Sequence, residues 1–201
     1  MKSNTYILND DKFIKRFGLR DFFDNLPGQI PKIAASLGIL PDDDVVKVAS
    51  TWVKMWREDV NFLNNQAKKC ADYIVGKTVI INCDKTMLPA ATSWRFDLNV
   101  ISKNLAWVDM ASDMTTRELS AWSGYPVEKP FAIFNILSDF DSQQTRDVFE
   151  FADKKLSGHQ PKAILVNAAG NSLLEQQLYI AIFGRCVAGY LAALNGVGCK
   201  L

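Results

Sequence analysis

The sequence predicts a doubly wound α/β domain, in which a parallel sheet carries helices on both faces. Short apolar or β-branched runs of strand length recur at residues 78–82, 105–110, 131–137 and 163–167. A helical pattern follows each run, and such alternation is typical of parallel strands joined by right-handed crossovers. The continuous apolar character of the runs also favours strands that are buried on both faces.

The helices between the strands are predicted at residues 88–103, 115–122, 141–156 and 172–194. Two of them open with capping boxes, Thr115-x-x-Glu118 and Ser172-x-x-Glu175, and a third opens with the similar Asp141-x-x-Gln144. The last helix is apolar over most of its length, but Arg185 interrupts it. We therefore expect a buried core helix here rather than a membrane span.

The residues before the first strand carry helical patterns. They predict a helical arm with linker helices over residues 1–75, followed by the α/β domain over residues 76–201. Four phenylalanines of the arm are too numerous for a solvated helix. We expect them to cover a partner chain or the second face of the sheet: Phe13, Phe17, Phe22 and Phe23.

Composition excludes several classes of protein. With 23 basic and 22 acidic residues the net charge is +1, so a general nucleic-acid binder is not expected. One histidine excludes a site with several imidazoles in one copy, and neither a dinucleotide fingerprint nor a phosphate loop is present. We therefore expect no metal and no cofactor. The four cysteines form no CxxC pair and no signal peptide is evident, which favours reduced thiols and a cytoplasmic location.

Ligands of doubly wound sheets bind outside the carboxyl ends of the strands. Four loops lie there, at residues 82–86, 111–115, 138–142 and 168–172, and each leads into a helix N-terminus. The first three carry carboxylates that would repel a phosphate: Asp84, Asp113, Asp139 and Asp141. The fourth carries Gly170, Asn171 and Ser172 and is the best candidate for binding an anion, with ordinary helix capping as the alternative.

A second polar set lies on one helix. Arg95, Asn99 and Lys103 are spaced at i, i+4 and i+8, so they share one helix face. They would either line a polar pocket or form a solvated surface.

Several segments together resemble the bifunctional phosphoglucose/phosphomannose isomerases. They are NNQAK at 64–68, VGK at 75–77, ATSWRFDLN at 91–99, SK at 102–103, RELSAW at 117–122, GNSLL at 170–174, IFG at 182–184 and GYLA at 189–192. No one of them is specific, and their order and spacing carry the resemblance. It implies the C-terminal SIS (sugar isomerase) domain of such an enzyme, a flavodoxin-like, Rossmann-type three-layer sandwich. It also implies a phosphorylated hexose as ligand, and either a homodimer or a separate N-terminal SIS half as partner.

The sequence departs from this family where chemistry is expected. The family's proton-shuttling glutamate falls at Val100 and its ring-opening histidine at Thr116, while Arg185 stands where an acid is usual. The first SIS domain with its phosphate loop, and the late C-terminal helix with its lysine, are expected to lie outside this sequence. Isomerisation needs a positioned base, which Val100 cannot supply, and Glu118 and Asp113 are weak candidates to replace it.

Three functions therefore stay open at this point. The first is a sugar-phosphate-binding SIS domain without full catalysis on its own. The second is an active glucose-6-phosphate/mannose-6-phosphate aldose–ketose isomerase, completed by a partner chain or by the N-terminal half. The third is a structural dimerisation module.

Overall fold

The computed structural model describes residues 10–40, 42–58, 65–114, 120–122 and 130–199 of the chain. Its strands are β1 Thr78–Cys83, β2 Ala106–Met110, β3 Phe131–Leu137 and β4 Ile164–Asn167. Its helices are α1 Asp11–Arg16, α2 Leu19–Asn25, α3 Ile30–Ser36, α4 Asp43–Glu58, α5 Gln66–Ile74, α6 Leu88–Val100, α7 Gln143–Lys155 and α8 Leu173–Leu194. Most of the predicted helix at 115–122 lies outside the described residues.

The four strands form one parallel sheet in the order β2-β1-β3-β4. Val79 of β1 sits opposite Ala106 of β2 on one side and Ala132 of β3 on the other. The α/β fold with a parallel sheet is therefore confirmed, and every predicted strand lies within a residue or two of its observed position.

One face of the sheet packs against helices to form the core. Val79, Ile81 and Cys83 of β1 are fully buried on this face. Trp94 of α6 joins the layers, because its ring centroid lies 5.1 Å from that of Phe134 in β3 and 5.5 Å from that of Phe183 in α8. An aromatic pair of this kind stabilises a core beyond its buried area alone.

Helix α8 packs against five other helices, namely α2, α3, α4, α5 and α6. By length and composition it could cross a membrane, but 89% of its apolar window is buried inside the fold. That burial is what we expected of a core helix. Two glycines let neighbours approach closely: a Cβ at Gly184 would lie 2.3 Å from Trp94 Cγ, and one at Gly189 would lie 2.5 Å from Phe22 Cε1.

The arm packs on α8. Phe22 and Phe23 are buried, Phe22 against Gly189 and Phe23 with its ring centroid 4.9 Å from that of Tyr190. The expectation that they cover a partner chain or the second face of the sheet is therefore wrong for these two residues. One hydrophobic core includes both the arm and the sheet, and the boundary between residues 75 and 76 stays a prediction.

A buried ion pair joins α6 to α8. Arg185 donates from Nε to Asp97 Oδ2 at 2.9 Å and from a terminal nitrogen to Oδ1 at 2.8 Å. The side chains are 20% and 7% exposed. Burial raises the pKa of Asp97 above its usual range, although the guanidinium acts in the opposite direction. Arg185, unusual for the resembled family, thus has a structural partner.

The other face of the sheet is more open at its edges. Trp107 of β2 and Leu165 of β4 point away from the core on the two edge strands and are 48% and 52% exposed. Edge strands carry unpaired backbone groups, so these two edges are where the described sheet can meet another surface.

Candidate functional site

The crevice at the carboxyl ends of β1 and β3 is the topological switch point of the sheet. The chain leaves β1 towards β2 on one side and leaves β3 towards β4 on the other. Open α/β sheets bind ligands at such a point. The loops that flank it here follow Cys83 and Leu137.

Asp84 sits in this crevice and is saturated with hydrogen bonds. Its Oδ2 accepts from the backbone N–H of Ser142 at 3.2 Å, from Ser142 Oγ at 3.0 Å and from Thr145 Oγ1 at 2.5 Å. Its Oδ1 accepts from the backbone N–H of Thr86 at 3.0 Å. Burial pushes the pKa of Asp84 up, but these hydrogen bonds outweigh burial and lower it to about 2. Asp84 is thus an ionised structural anchor and a poor proton acceptor.

A cavity of about 210 Å³ opens beside Asp84. Its polar lining includes the hydroxyls of Ser112 and Ser142, the amide of Gln144 and the ammonium group of Lys85. Hydroxyls and amides can hydrogen-bond a hydroxylated ligand, and the lysine adds one positive charge. The lining thus offers hydrogen-bonding groups for a hydroxylated ligand, with one negative charge at Asp84 and one positive charge at Lys85.

Gln176 ties the loops after β3 and β4 together. Its side-chain oxygen accepts from Ser138 Oγ at 2.7 Å and from the backbone N–H of Asp139 at 3.1 Å. Its nitrogen donates to Asp139 Oδ2 at 2.8 Å and to the carbonyl of Gly170 at 3.0 Å. The residue is 1% exposed. Sequence reasoning missed it, although a glutamine in the first turn of an otherwise apolar helix needs buried partners.

The loop after β4 is hydrogen-bonded to a carboxylate in the first turn of α8. The backbone N–H of Asn171 donates to Glu175 Oε2 at 2.8 Å, and the backbone N–H of Glu175 donates to Ser172 Oγ at 3.2 Å. The Ser172 half of the predicted capping box is present, whereas Glu175 binds the backbone N–H of Asn171 instead of that of the N-cap residue Ser172. Gly170 has φ +136°, and a Cβ there would lie 2.6 Å from Glu175 Cβ, so the loop requires glycine. An anion binding to this helix end would have to displace Glu175.

Two of the predicted trio, Asn99 and Lys103, lie away from this edge. The prediction of a helix to residue 103 is wrong, because α6 ends at Val100 and leaves Lys103 outside it. Asn99 Oδ1 accepts from the backbone N–H of Ala106 at 3.0 Å, which places Asn99 at the amino end of β2. Lys103 lies in the following turn with φ +55°. The Arg95 guanidinium lies 4.7 Å from the Phe96 ring centroid, and its buried Nε has no hydrogen-bond partner among the described residues. Asn99 and Lys103 are therefore at the opposite end of the sheet from Gly170, Asn171 and Ser172.

Of the positions that the sequence analysis linked to catalysis, the two that the structure describes lie apart. Val100 is the last residue of α6 and is 61% exposed, so it presents hydrocarbon to solvent. Asp113 lies in the short 3₁₀ turn after β2, at the carboxyl edge, where its Oδ1 accepts from Ser112 Oγ at 3.2 Å. Glu118 and Thr116 lie outside the described residues.

The thiols are poor nucleophiles in this setting. Burial raises the pKa of Cys70 and of Cys83 to about 12 and that of Cys199 to about 11, and it raises the pKa of Cys186 further. Within the described part of the chain, no cluster of three or more histidine, cysteine or carboxylate side chains is placed to hold a metal ion.

Comparison with known proteins identifies the family. Residues 63–199 match the model of the bacterial phospho-glucose isomerase C-terminal SIS domain. The chain belongs to this family. The resemblance drawn from the sequence motifs is therefore confirmed.

The aligned part of the chain covers about half the length of each of three relatives. The chain is 23% identical over 167 residues to a bifunctional phosphoglucose/phosphomannose isomerase of Aquifex aeolicus (strain VF5), covering 83% of this chain and 51% of that protein. A glucose-6-phosphate isomerase-like protein from Thermus thermophilus has a TM-score of 0.58 at 18% identity, over 78% of this chain and 52% of that one. The C-terminal domain of glucosamine-fructose-6-phosphate aminotransferase from Francisella tularensis has a TM-score of 0.53 at 13% identity, over 80% and 49%.

Proposed function

We propose that this SIS domain binds a phosphorylated hexose at the carboxyl edge of its sheet and does not isomerise it on its own. Family membership supports the ligand class. The cavity beside Asp84 supports the location, because it offers hydroxyl and amide groups to the sugar and Lys85 to the phosphate, which has to lie on the side of the cavity away from the Asp84 carboxylate. In this proposal Lys85 pairs with the phosphate, and Ser112 and Gln144 bind sugar hydroxyls. We expect the protein to work in the cytoplasm.

The observation that carries the non-catalytic part is that the carboxylate on the cavity wall, Asp84, is a weak base. Val100, where the resemblance places the family's base, lies at the far end of α6 from the cavity. Aldose–ketose isomerisation moves a proton between adjacent carbons, and a positioned base contributes about 10²–10⁴ in rate. A valine side chain has no lone pair and accepts no proton at any pH. Asp84 is held ionised by four hydrogen bonds with a pKa of about 2, so it is a weak base.

Calorimetric titration with glucose 6-phosphate, mannose 6-phosphate and fructose 6-phosphate tests binding. We expect heat at millimolar or lower ligand and weaker binding in Lys85→Gln and Ser112→Ala. Lys154→Gln is the matched control, since this lysine is exposed on α7 and pairs with Glu150 away from the cavity. Absence of heat with all three sugars in the wild-type protein would reject the proposal.

A coupled isomerase assay and exchange of the C2 hydrogen with deuterated water test the absence of catalysis. We expect neither turnover nor exchange for the chain alone. If either occurs, the alternative of an active isomerase gains support, and Glu118→Gln is the variant to assay first. Activity that arises only after addition of an N-terminal SIS half would support the version completed by a partner.

The sheet edges favour a partner as well. The chain spans about half the length of the relatives it matches. Trp107 on edge strand β2, with Leu105 before it, exposes apolar surface, at 48% and 58%. We propose that this edge pairs with a second copy or with an N-terminal SIS half. Light scattering should report a dimer that Trp107→Glu weakens, and a wild-type monomer that binds no separate half would contradict this part.

A further inference from the structure

A cavity of about 380 Å³ lies between α7 and the face of β3 and β4 that is turned away from the core. Leu137 of β3, Leu165 of β4 and Phe149 of α7 give it apolar walls. Asn135 shares this face with Leu137, because the two are two residues apart in a strand, and it sits opposite Leu165 in the sheet. None of the described residues that line this cavity also lines the one beside Asp84, so the proposed function leaves it unused.

Asn135 brings an unused hydrogen-bond donor to this cavity. The residue is 5% exposed, and its Oδ1 accepts from Asn82 Nδ2 at 2.8 Å, which turns the oxygen towards β1. The amide nitrogen carries two N–H groups, and none of the described residues accepts a hydrogen bond from it. Buried donors in folded proteins are normally paired. An acceptor atom on a ligand would therefore supply the partner that the chain does not.

The charges of the lining favour a neutral ligand. The described lining carries equal numbers of cations and carboxylates: Arg146, Lys162, Glu150 and Asp153. Arg146 also donates to the carbonyl of Ser138 at 2.7 Å, and Glu150 pairs with Lys154. An ion of either sign would meet repulsion as well as attraction here. The free amide of Asn135 and the apolar walls are thus the features that select a ligand.

We propose that this cavity binds a small neutral carboxamide with an apolar body. The carbonyl oxygen of the ligand would accept from Asn135 Nδ2, while its apolar body packs against Phe149 and Leu165. The N–H groups of the ligand could donate to a carboxylate on the α7 wall, which a ketone or an ester could not do. A volume of about 380 Å³ admits a single ring with its substituent.

Benzamide is the probe, and benzoate and benzamidine are its charged counterparts of the same shape. Calorimetry on the full chain should show saturable binding of benzamide with a dissociation constant of about 1 mM or below. Benzoate presents a negative charge, and benzamidine presents a positive charge and no acceptor for Asn135. Both should bind at least about tenfold more weakly than benzamide, the scale of one lost hydrogen bond in a buried site.

Leu165 and Leu174 form a matched pair for testing the apolar wall. Both are 52% exposed, but Leu165 lines the cavity and Leu174 lies in the first turn of α8, outside the lining. Leu165→Asn should weaken benzamide binding by about fivefold or more, because it removes apolar contact from the ligand. Leu174→Asn should change it by less than about twofold, as expected of a distant surface position.

Asn135→Asp tests the donor. It keeps an oxygen that can accept from Asn82 and replaces the free N–H groups by a carboxylate oxygen. Benzamide should bind about tenfold more weakly to this variant, and benzamidine should bind more tightly than to the wild-type protein, because an amidinium donates well to a carboxylate. If Asn135→Asp fails to fold, the half-exposed pair Leu165 and Leu174 decides alone.

Four results would overturn the proposal. The first is no heat from the wild-type protein at about 10 mM benzamide. The second is benzoate or benzamidine binding as tightly as benzamide. The third is an equal loss in Leu165→Asn and Leu174→Asn, and the fourth is unchanged benzamide binding in a folded Asn135→Asp. Lys85→Gln should leave benzamide binding unchanged, and a loss there would place the ligand in the hexose cavity instead.

Discussion

Replacing Arg185 by methionine should destabilise the fold strongly, because it leaves a buried carboxylate without its partner. Asp97 has 7% side-chain exposure and accepts two hydrogen bonds from Arg185. Removing one member of a buried pair costs about 3–5 kcal/mol. For a chain of this size the melting temperature should fall by about 6–20 °C.

The double variant separates the charge effect from lost packing. Replacing both members by apolar residues of similar volume is often neutral or stabilising. Asp97→Leu combined with Arg185→Met should therefore recover most of the stability lost in Arg185→Met. Urea unfolding at pH 7, followed by circular dichroism, gives the free energies of unfolding for the cycle.

The pH dependence of stability provides a second, independent test of this prediction. Burial raises the pKa of Asp97 in the folded protein, and loss of Arg185 should raise it more. A folded carboxyl with a raised pKa holds its proton where the unfolded chain has released it. The stability of Arg185→Met should therefore fall as pH rises from about 4 towards the folded pKa, and the double variant should lack this slope.

The chain contains a matched exposed pair for comparison. Lys154 and Glu150 pair at i, i+4 on α7 with side chains 73% and 66% exposed. Lys154→Met should cost at most about 0.5 kcal/mol. The reasoning fails if Arg185→Met costs no more than this, or if the double variant is as unstable as the single one.

Three further changes probe the core, the crevice and the edge of the domain. Gly184→Ala should cost about 1–3 kcal/mol in urea unfolding, since its Cβ would lie 2.3 Å from Trp94 Cγ; Gly28→Ala, with nothing within 4 Å, should be neutral. Because the pKa of Asp84 is lowered to about 2, its ionised form should add about 2 kcal/mol to the free energy of unfolding. This stabilisation should be present above about pH 4 and be lost as pH falls towards 2. The urea midpoint of Asp84→Asn should not show this loss. Val100→Glu should change stability by less than about 0.5 kcal/mol, because the side chain is 61% exposed.

The strands were predictable because their signal is local. The predicted run at residues 78–82 is β1 Thr78–Cys83, and its residues are buried or half-buried on both faces, as a continuous apolar run indicates. The start of the final helix was equally predictable, since Ser172 caps it by accepting from the backbone N–H of Glu175. The parallel direction of the strands was predictable from the alternation of strands and helices, not from any single residue.

Contacts between distant residues were not predictable in the same way. Periodicity put Arg95, Asn99 and Lys103 on one face of a helix, but it does not say which neighbour that face meets, and Asn99 proved to bind the backbone of Ala106. The interior glycines of α8 were an unused signal. A glycine inside a helix is unfavourable and needs a packing reason, which at Gly189 is the ring of Phe22.

The position at which the resemblance places the family's base is one that the fold does not need. The position assigned to the base by resemblance, Val100, is the exposed end of α6, outside the core that Trp94 and α8 build. A substitution at such a position changes chemistry with little effect on packing. The carboxyl edge is held by different contacts, those of Asp84 and Gln176, which do not involve Val100. The residue at position 100 and the shape of the polar crevice are therefore physically independent, so the proposed binding without turnover is compatible with the fold.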